Sequence, residues 1–179
     1  QTRQYFDITK AVIRQSFEMF KNNSLEFSVN LSSKDILEPQ IAHFIFEMLH
    51  DYNIGERVVF EIVESESIDN FEGVISFIDQ AKKYNAKIAI DDFGTGYSNF
   101  EYLIKLKADY LKIDGSLIKN LEHDKNAFVV VSTIVEFSKK LGMKTIAEFV
   151  ENEEIFKIVK EMGIDYSQGY HFSAPKDSL

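Results

Sequence analysis

Two adjacent aspartates, Asp91 and Asp92, stand at the end of the short apolar run Lys87–Ile90 and are followed by a glycine-interrupted turn. Two like charges at the mouth of a buried strand are costly unless a cation or a proton offsets them. Because perturbed carboxylates cluster at functional positions, this pair is a candidate site. A structural interpretation is equally open, since Asp is common in loops and at the first position of a helix.

Polar residues also occur in, or directly after, the other short apolar runs, which we interpret as β-strands. In chain order they are Asn30, Glu61 with Glu64, Lys112 with Asp114, Glu148 with Glu151, and Gln168. Functional residues of parallel α/β folds gather where the strands end. Glu61 and Lys112 are the most informative, because a lone charge inside an apolar run is destabilising. A buried ion pair between Lys112 and one carboxylate is the structural alternative.

The candidate residues offer oxygen ligands, namely carboxylates with the amides of Asn30 and Gln168, and include no cysteine or histidine. Such a set suits the hard divalent ions Mg²⁺ or Mn²⁺. Two such ions roughly 3.5–4 Å apart would activate water and neutralise a phosphodiester. Lys112 would then orient the nucleophilic water or stabilise developing charge. The pattern therefore favours phosphodiester hydrolysis over other reaction classes.

The apolar periodicity predicts a leading helix and then six strands that alternate with helices. The predicted strands are Leu25–Leu31, Val58–Val63, Lys87–Ile90, Tyr110–Ile113, Lys144–Ala147 and Ile164–Ser167. The predicted helices are Tyr5–Phe20, one that begins at Pro39, about Phe71–Tyr84, Tyr97–Ile104, Asp124–Leu141 and one capped by Asn152. Ser32-Ser33 is predicted to be a loop.

This alternation predicts a parallel sheet with right-handed crossovers, either an open doubly wound sheet or a closed barrel. A barrel of eight units usually needs about 250 residues, and only six units are predicted here. A leading helix with no strand before it is also unusual for either fold. A barrel that lacks its first strands would explain both features.

The composition fits one globular domain over residues 1–179, with 45% hydrophobic and 27% charged residues. A formal charge of -9 argues against a DNA- or RNA-binding surface, although metal ions would still allow a phosphate ligand. The absence of cysteine excludes disulfides and thiolate metal sites and fits the cytosol. Because the chain begins with Gln1 and its methionines are internal, we expect it to be part of a longer protein.

Six motifs together resemble one known family, the EAL-type cyclic di-GMP phosphodiesterases. They are Phe27–Ser32, Glu61–Glu64, Asp91–Ser98, Leu111–Asp114, Ala147–Glu151 and Gln168–Phe172. The motifs occur in family order and cover essentially the whole chain. The resemblance implies a TIM-type (β/α)₈ barrel that hydrolyses cyclic di-GMP to linear pGpG with two Mg²⁺ or Mn²⁺ ions.

The resemblance also implies roles for individual residues. The metal ligands would be Asn30, Glu61, Asp91 and Asp92, with Asp91 shared between the ions. Lys112 and Glu148 resemble the residues that hold or deprotonate the attacking water. Glu64 resembles the residue that anchors the loop Phe93–Ser98, which lies near dimer contacts in the family. Asp114, Glu151 and Gln168 are the remaining candidates for supporting the substrate or the loop.

One departure from the family pattern is clear: the sequence contains no Glu-Ala-Leu segment, whose glutamate is a metal ligand in active members. We therefore expect an incomplete barrel of about six βα units with little or no hydrolase activity by itself. The expected partners are cyclic di-GMP, a second copy in a homodimer, and neighbouring sensor or diguanylate cyclase domains. The expected location is cytoplasmic, with any membrane anchor elsewhere in the parent protein. A non-catalytic cyclic di-GMP receptor and a scaffold with a vestigial pocket are the alternatives.

Overall fold

A computed structural model of the chain describes residues 2–63, 70–94 and 100–176. The contacts divide the chain into two compact units. The first comprises Gln1–Ala89 with Lys105–Lys107, and the second comprises Ile90–Ile104 with Ala108–Leu179. Among the helices of the described ranges, none is long and apolar enough to cross a membrane.

The first unit packs helices against two parallel strands. Its elements are α1 (Thr2–Phe20), β1 (Phe27–Leu31), α2 (Ser33–Leu37), α3 (Pro39–Tyr52), a 3₁₀ turn (Gly55–Arg57), β2 (Val58–Val63) and α4 (Phe71–Lys83). Helix α3 begins at a proline, whose missing N–H has no helical partner at that position, and Glu38 caps the helix by accepting from Gln40 N. The helix buries the stripe Ile41, Ile45, Met48 and Leu49, which has helical spacing.

The second unit continues the strand–helix alternation. Its elements are α6 (Gly115–Ile118), α7 (Lys125–Leu141), α8 (Glu153–Glu161) and the strands β4 (Tyr110–Ile113), β5 (Lys144–Ala147) and β6 (Tyr166–Ser167). Strand β3 (Lys87–Phe93) and helix α5 (Phe100–Leu106) each contribute residues to both units. The core of the second unit includes Leu111, Ile113, Val131 and Ala147, all fully buried.

The six strands form one sheet in chain order, from β1 to β6. Strand β1 pairs in parallel with β2, and β5 pairs in parallel with both β4 and β6. Sequential order in a parallel α/β sheet is the arrangement of a (β/α) barrel, whereas a doubly wound sheet reverses its order at a switch point. The prediction of an α/β fold with about six βα units is confirmed.

Several predicted boundaries were wrong. Strand β3 extends through Phe93, so Asp91 and Asp92 lie inside it and not after it. Residues predicted as a loop at Ser32-Ser33 instead cap and begin the short helix α2. Strand β6 has only two residues, and α5 begins at Phe100, while the predicted start at Tyr97 lies outside the described residues.

Candidate active site

Lys112 lies in the middle of β4 and is almost completely buried, with 5% of its surface exposed. Its Nζ is 2.7 Å from Asp91 Oδ1 and 2.9 Å from Glu148 Oε1. A buried ammonium is tolerated when opposite charges and hydrogen bonds compensate for its lost hydration. The ion pair considered as the structural alternative is therefore present, but Lys112 bridges two carboxylates instead of pairing with one.

The backbone at Asp92 brings two adjacent carboxylates toward the same place. Neighbouring side chains on a regular strand point to opposite faces of the sheet. Asp92 has a φ of 55°, in the left-handed region, which interrupts this alternation near the end of β3. Carboxylate oxygens of Asp91, Asp92 and Glu148 consequently lie within 4.8 Å of one another. Asp is among the few residues with a side chain that enter this region at modest cost.

Glu148 follows β5 directly and is 5% exposed. Burial raises the pKa of its carboxyl group, and the hydrogen bond and charge of Lys112 partly oppose this rise. Gln168 Nε2 donates a second hydrogen bond, of 2.7 Å, to the same Oε1 atom that Lys112 contacts. Both contacts fall on Oε1. Among the described residues, Oε2 is therefore the oxygen that could accept a proton or bind a ligand.

Backbone hydrogen bonds between neighbouring strands fix these side chains. Glu148 N donates to Ile113 O at 3.2 Å, and Gln168 N donates to Ala147 O at 2.9 Å. Val150 N then donates to Gln168 O at 3.0 Å. A Cβ on Gly169 would lie 2.3 Å from Val150 O, so only glycine permits this close approach.

The three clustered carboxylates fit a hard divalent cation. Each offers one oxygen at mutual distances that a single ion can bridge, and Mg²⁺ and Mn²⁺ prefer such ligands. Asp91 Oδ1 already accepts from Lys112 Nζ at 2.7 Å and from Asp92 N at 3.1 Å, and these contacts orient the carboxylate. Lys112 therefore holds Asp91 and Glu148 together through one oxygen of each carboxylate.

Two further predicted ligands, Asn30 and Glu61, belong to the first unit. They stand directly opposite each other in the parallel register of β1 and β2. Asn30 is exposed, whereas Glu61 is only 9% exposed. Their predicted role as metal ligands stays a prediction.

The remaining candidates have local partners of their own. Asp114 caps α6 by accepting from Ser116 N at 2.8 Å, a structural role for its carboxylate. Glu151 is exposed and lies 3.0 Å from Lys119 Nζ. Glu64 falls outside the described residues.

Next to Gln168 is a pocket of about 370 Å³ whose aromatic walls the sequence interpretation missed. Phe149 and Tyr170 are 52% and 72% exposed. Both line this pocket together with Glu151 and Gln168. Their positions directly after Glu148 and after Gln168-Gly169 are the signal that could have identified them.

A parallel sheet in sequential order with a buried lysine and three carboxylates near its strand ends defines an α/β domain with a carboxylate-rich site. The chain belongs to the EAL domain family, whose model matches residues 1–175. The chain is 34% identical over 176 residues to the cyclic di-GMP phosphodiesterase PdeB of Shewanella oneidensis, covering 95% of this chain and 21% of that protein. It is 33% identical over 171 residues to the cyclic di-GMP phosphodiesterase PdeA of Borreliella burgdorferi, covering 94% and 26%.

Among solved structures, that of the PaMucR phosphodiesterase in complex with c-di-GMP is similar to this chain. The two share 27% identity with a TM-score of 0.88, over 97% of this chain and 73% of that chain. The chain thus spans about a fifth to a quarter of the length of these curated relatives.

Proposed function

We propose that this chain is the cyclic di-GMP phosphodiesterase domain of its protein and that it serves the hydrolysis of cyclic di-GMP to linear pGpG with two Mg²⁺ or Mn²⁺ ions. Membership of the EAL family and relatives named for this activity support the proposal. The observation that carries it is the bridge from Lys112 to Asp91 and Glu148. Coupled charges that are buried together occur preferentially at functional sites.

The family resemblance suggests which residues would hold the ions, and the close approach of Asp91 and Asp92 supports two of them. Asn30, Glu61, Asp91 and Asp92 are the proposed ligands, and bound divalent ions would supply water activation and neutralisation of phosphodiester charge. Lys112 keeps Asp91 oriented and Glu148 in place. Because the pKa of Glu148 is raised, its carboxylate is a better proton acceptor than an ordinary one.

In the proposed reaction, the oxygen of water attacks phosphorus and the bond from phosphorus to the ribose 3′ oxygen breaks, and this oxygen takes a proton from solvent to become the 3′ hydroxyl of pGpG. Glu148 Oε2 takes the proton of the attacking water, while Lys112 and Gln168 hold Oε1. The exposed rings of Phe149 and Tyr170 offer stacking surfaces for a guanine base in the pocket that Gln168 also lines. The product is one linear dinucleotide.

We further propose that the 179 residues bind cyclic di-GMP but hydrolyse it slowly, because the sequence holds no Glu-Ala-Leu segment. Homodimer formation, neighbouring sensor or diguanylate cyclase domains and a cytoplasmic location belong to the same proposal and stay predictions.

Calorimetry with cyclic di-GMP, with and without Mn²⁺, tests the proposal, and chromatography of pGpG follows turnover. We expect Mn²⁺-dependent binding that Asp91→Ala abolishes. The matched control is Lys140→Ala, which removes only an exposed contact with Glu136 and should bind normally. A chain that binds no cyclic di-GMP in either condition would overturn the proposal. Binding in a longer protein that never forms pGpG would indicate a receptor instead.

A further inference from the structure

Asp35 is a buried carboxylate of the first unit, with 3% of its surface exposed. Its Oδ2 accepts hydrogen bonds from Ser32 N at 3.0 Å, Ser32 Oγ at 2.6 Å and Tyr5 Oη at 3.0 Å. Its Oδ1 accepts from Thr9 Oγ1 at 3.1 Å. Four neutral donors thus compensate for the lost hydration of one buried charge.

These hydrogen bonds join three elements of the first unit. Tyr5 and Thr9 lie on α1, Ser32 forms the turn after β1, and Asp35 lies in the first turn of α2. Asp35 N also donates back to Ser32 Oγ at 3.2 Å, which completes a reciprocal capping box. The turn after β1 is therefore fixed from both sides, by α2 and by α1.

This fixed turn begins two residues after Asn30. Asn30 and Asp35 are among the residues that line one pocket of about 160 Å³, together with Tyr5 and Thr9. Asn30 itself is exposed, so packing against a core does not select its rotamer. Two contacts therefore orient the end of β1, namely its pairing with β2 and the turn that follows.

We infer that Asp35 is a positioning residue, which orients the end of β1 so that Asn30 presents its side-chain oxygen to a divalent ion. This inference rests on the proposed function, in which Asn30 is a metal ligand. Partners that orient ligands typically change metal affinity by about 10–100-fold when they are removed.

Two substitutions of Asp35 distinguish the effect of its hydrogen bonds from the effect of its charge. In Asp35→Asn, the amide oxygen can accept from Ser32 and Tyr5, and the new Nδ2 can donate to Thr9 Oγ1. Thr9 tolerates this exchange, because its single hydroxyl hydrogen can instead go to Tyr5 O, 3.2 Å away, while Oγ1 accepts. Asp35→Asn therefore keeps the network and loses the charge, whereas Asp35→Ala loses both.

The test uses Mn²⁺ as the probe and reads the side-chain amide signal of Asn30 by NMR, since bound Mn²⁺ broadens nearby resonances. In Asp35→Ala, the Mn²⁺ concentration that half-broadens this signal should rise by about 10-fold or more. Asp35→Asn should behave like the unchanged chain. Asp124→Ala is the matched control, because it removes a similar cap, from Asn126 N on α7, and should leave the titration unchanged.

Tyr5→Phe provides a milder variant in case Asp35→Ala does not fold. It removes one donor from the network and should weaken the Mn²⁺ effect in the same direction by a smaller factor. If the variants titrate like the unchanged chain, or if Asp35→Asn is as weak as Asp35→Ala, positioning by Asp35 is wrong. If Mn²⁺ fails to broaden Asn30 even in the unchanged chain, the ligand role of Asn30 fails together with this inference.

Discussion

Gln168 donates a hydrogen bond of 2.7 Å to Glu148 Oε1 across a separation of 20 residues. The contact fixes the carboxylate that we propose as proton acceptor and leaves its Oε2 atom for the water. It depends on β6 pairing with β5, which brings Gln168 N to Ala147 O.

Gln168→Leu should slow formation of pGpG by about 10-fold or more. A hydrogen bond to a charged group contributes about 1.5–3 kcal/mol, and each 1.4 kcal/mol is about tenfold in rate. The measurement is the initial rate with Mn²⁺ in the longer parent protein, because slow hydrolysis is expected of the 179 residues alone. Gln80→Leu on the exposed surface of α4 is the control. A Gln168→Leu protein as fast as that control would contradict an orienting role.

Lys112→Met should destabilise the protein by about 3–5 kcal/mol in metal-free buffer, because it leaves Asp91 and Glu148 buried without their shared cation. Urea unfolding in the presence of EDTA measures this loss. The exposed pair of Lys140 and Glu136 offers a comparison, since Lys140→Ala should change the midpoint little. Equal midpoints for the two variants would show that the buried bridge contributes no net stability.

Replacement of Asp92 should reveal the strain in its backbone. At a φ of 55°, Asp92→Val should be about 1–2 kcal/mol less stable than Asp92→Asn, because a β-branched residue fits the left-handed region poorly. Both variants lose the negative charge, so the difference between them does not come from the charge. Intrinsic strand propensity favours Val and predicts the opposite sign. Denaturant unfolding of the two variants therefore decides between these effects.

Gly115 and Phe149 should show strong coupling. A Cβ on Gly115 would lie 2.3 Å from Phe149 Cδ2, so Gly115→Ala should destabilise by about 1–3 kcal/mol. In a Phe149→Gly background the clash is removed, and glycine also suits the φ of 52° at that position. A double-mutant cycle of unfolding free energies measures the coupling. If the two substitutions have additive effects on the unfolding free energy, the Phe149 ring moves away from the new Cβ at no cost.

The strands whose apolar runs have clear ends could be predicted from the sequence. Val58–Val63, Tyr110–Ile113 and Lys144–Ala147 begin and end where predicted, because charged or turn-forming residues border each run. The end of β3 was missed, since two carboxylates inside a strand contradict the usual pattern. Their strand position depends on backbone conformation at Asp92, which no periodicity encodes.

The candidate site was predictable as a set of residues but not as a set of contacts. Buried charges at Lys112 and Glu61 were visible as polar interruptions of apolar runs. The choice of Asp91 and Glu148 as the partners of Lys112 required the pairing of β4 with β5. Helix α2 was overlooked because five residues are too few for a periodic signal, although Ser32 and Asp35 have the spacing of a capping box.

Lys112 also bears on the order in which the protein assembles. In small metal-dependent domains the ligands repel one another until the ion arrives, so metal binding and folding are one event. Here a covalently attached cation on β4 already neutralises part of that repulsion. We therefore expect the chain to fold before the proposed ions bind, which would separate the supply of metal from the supply of folded protein.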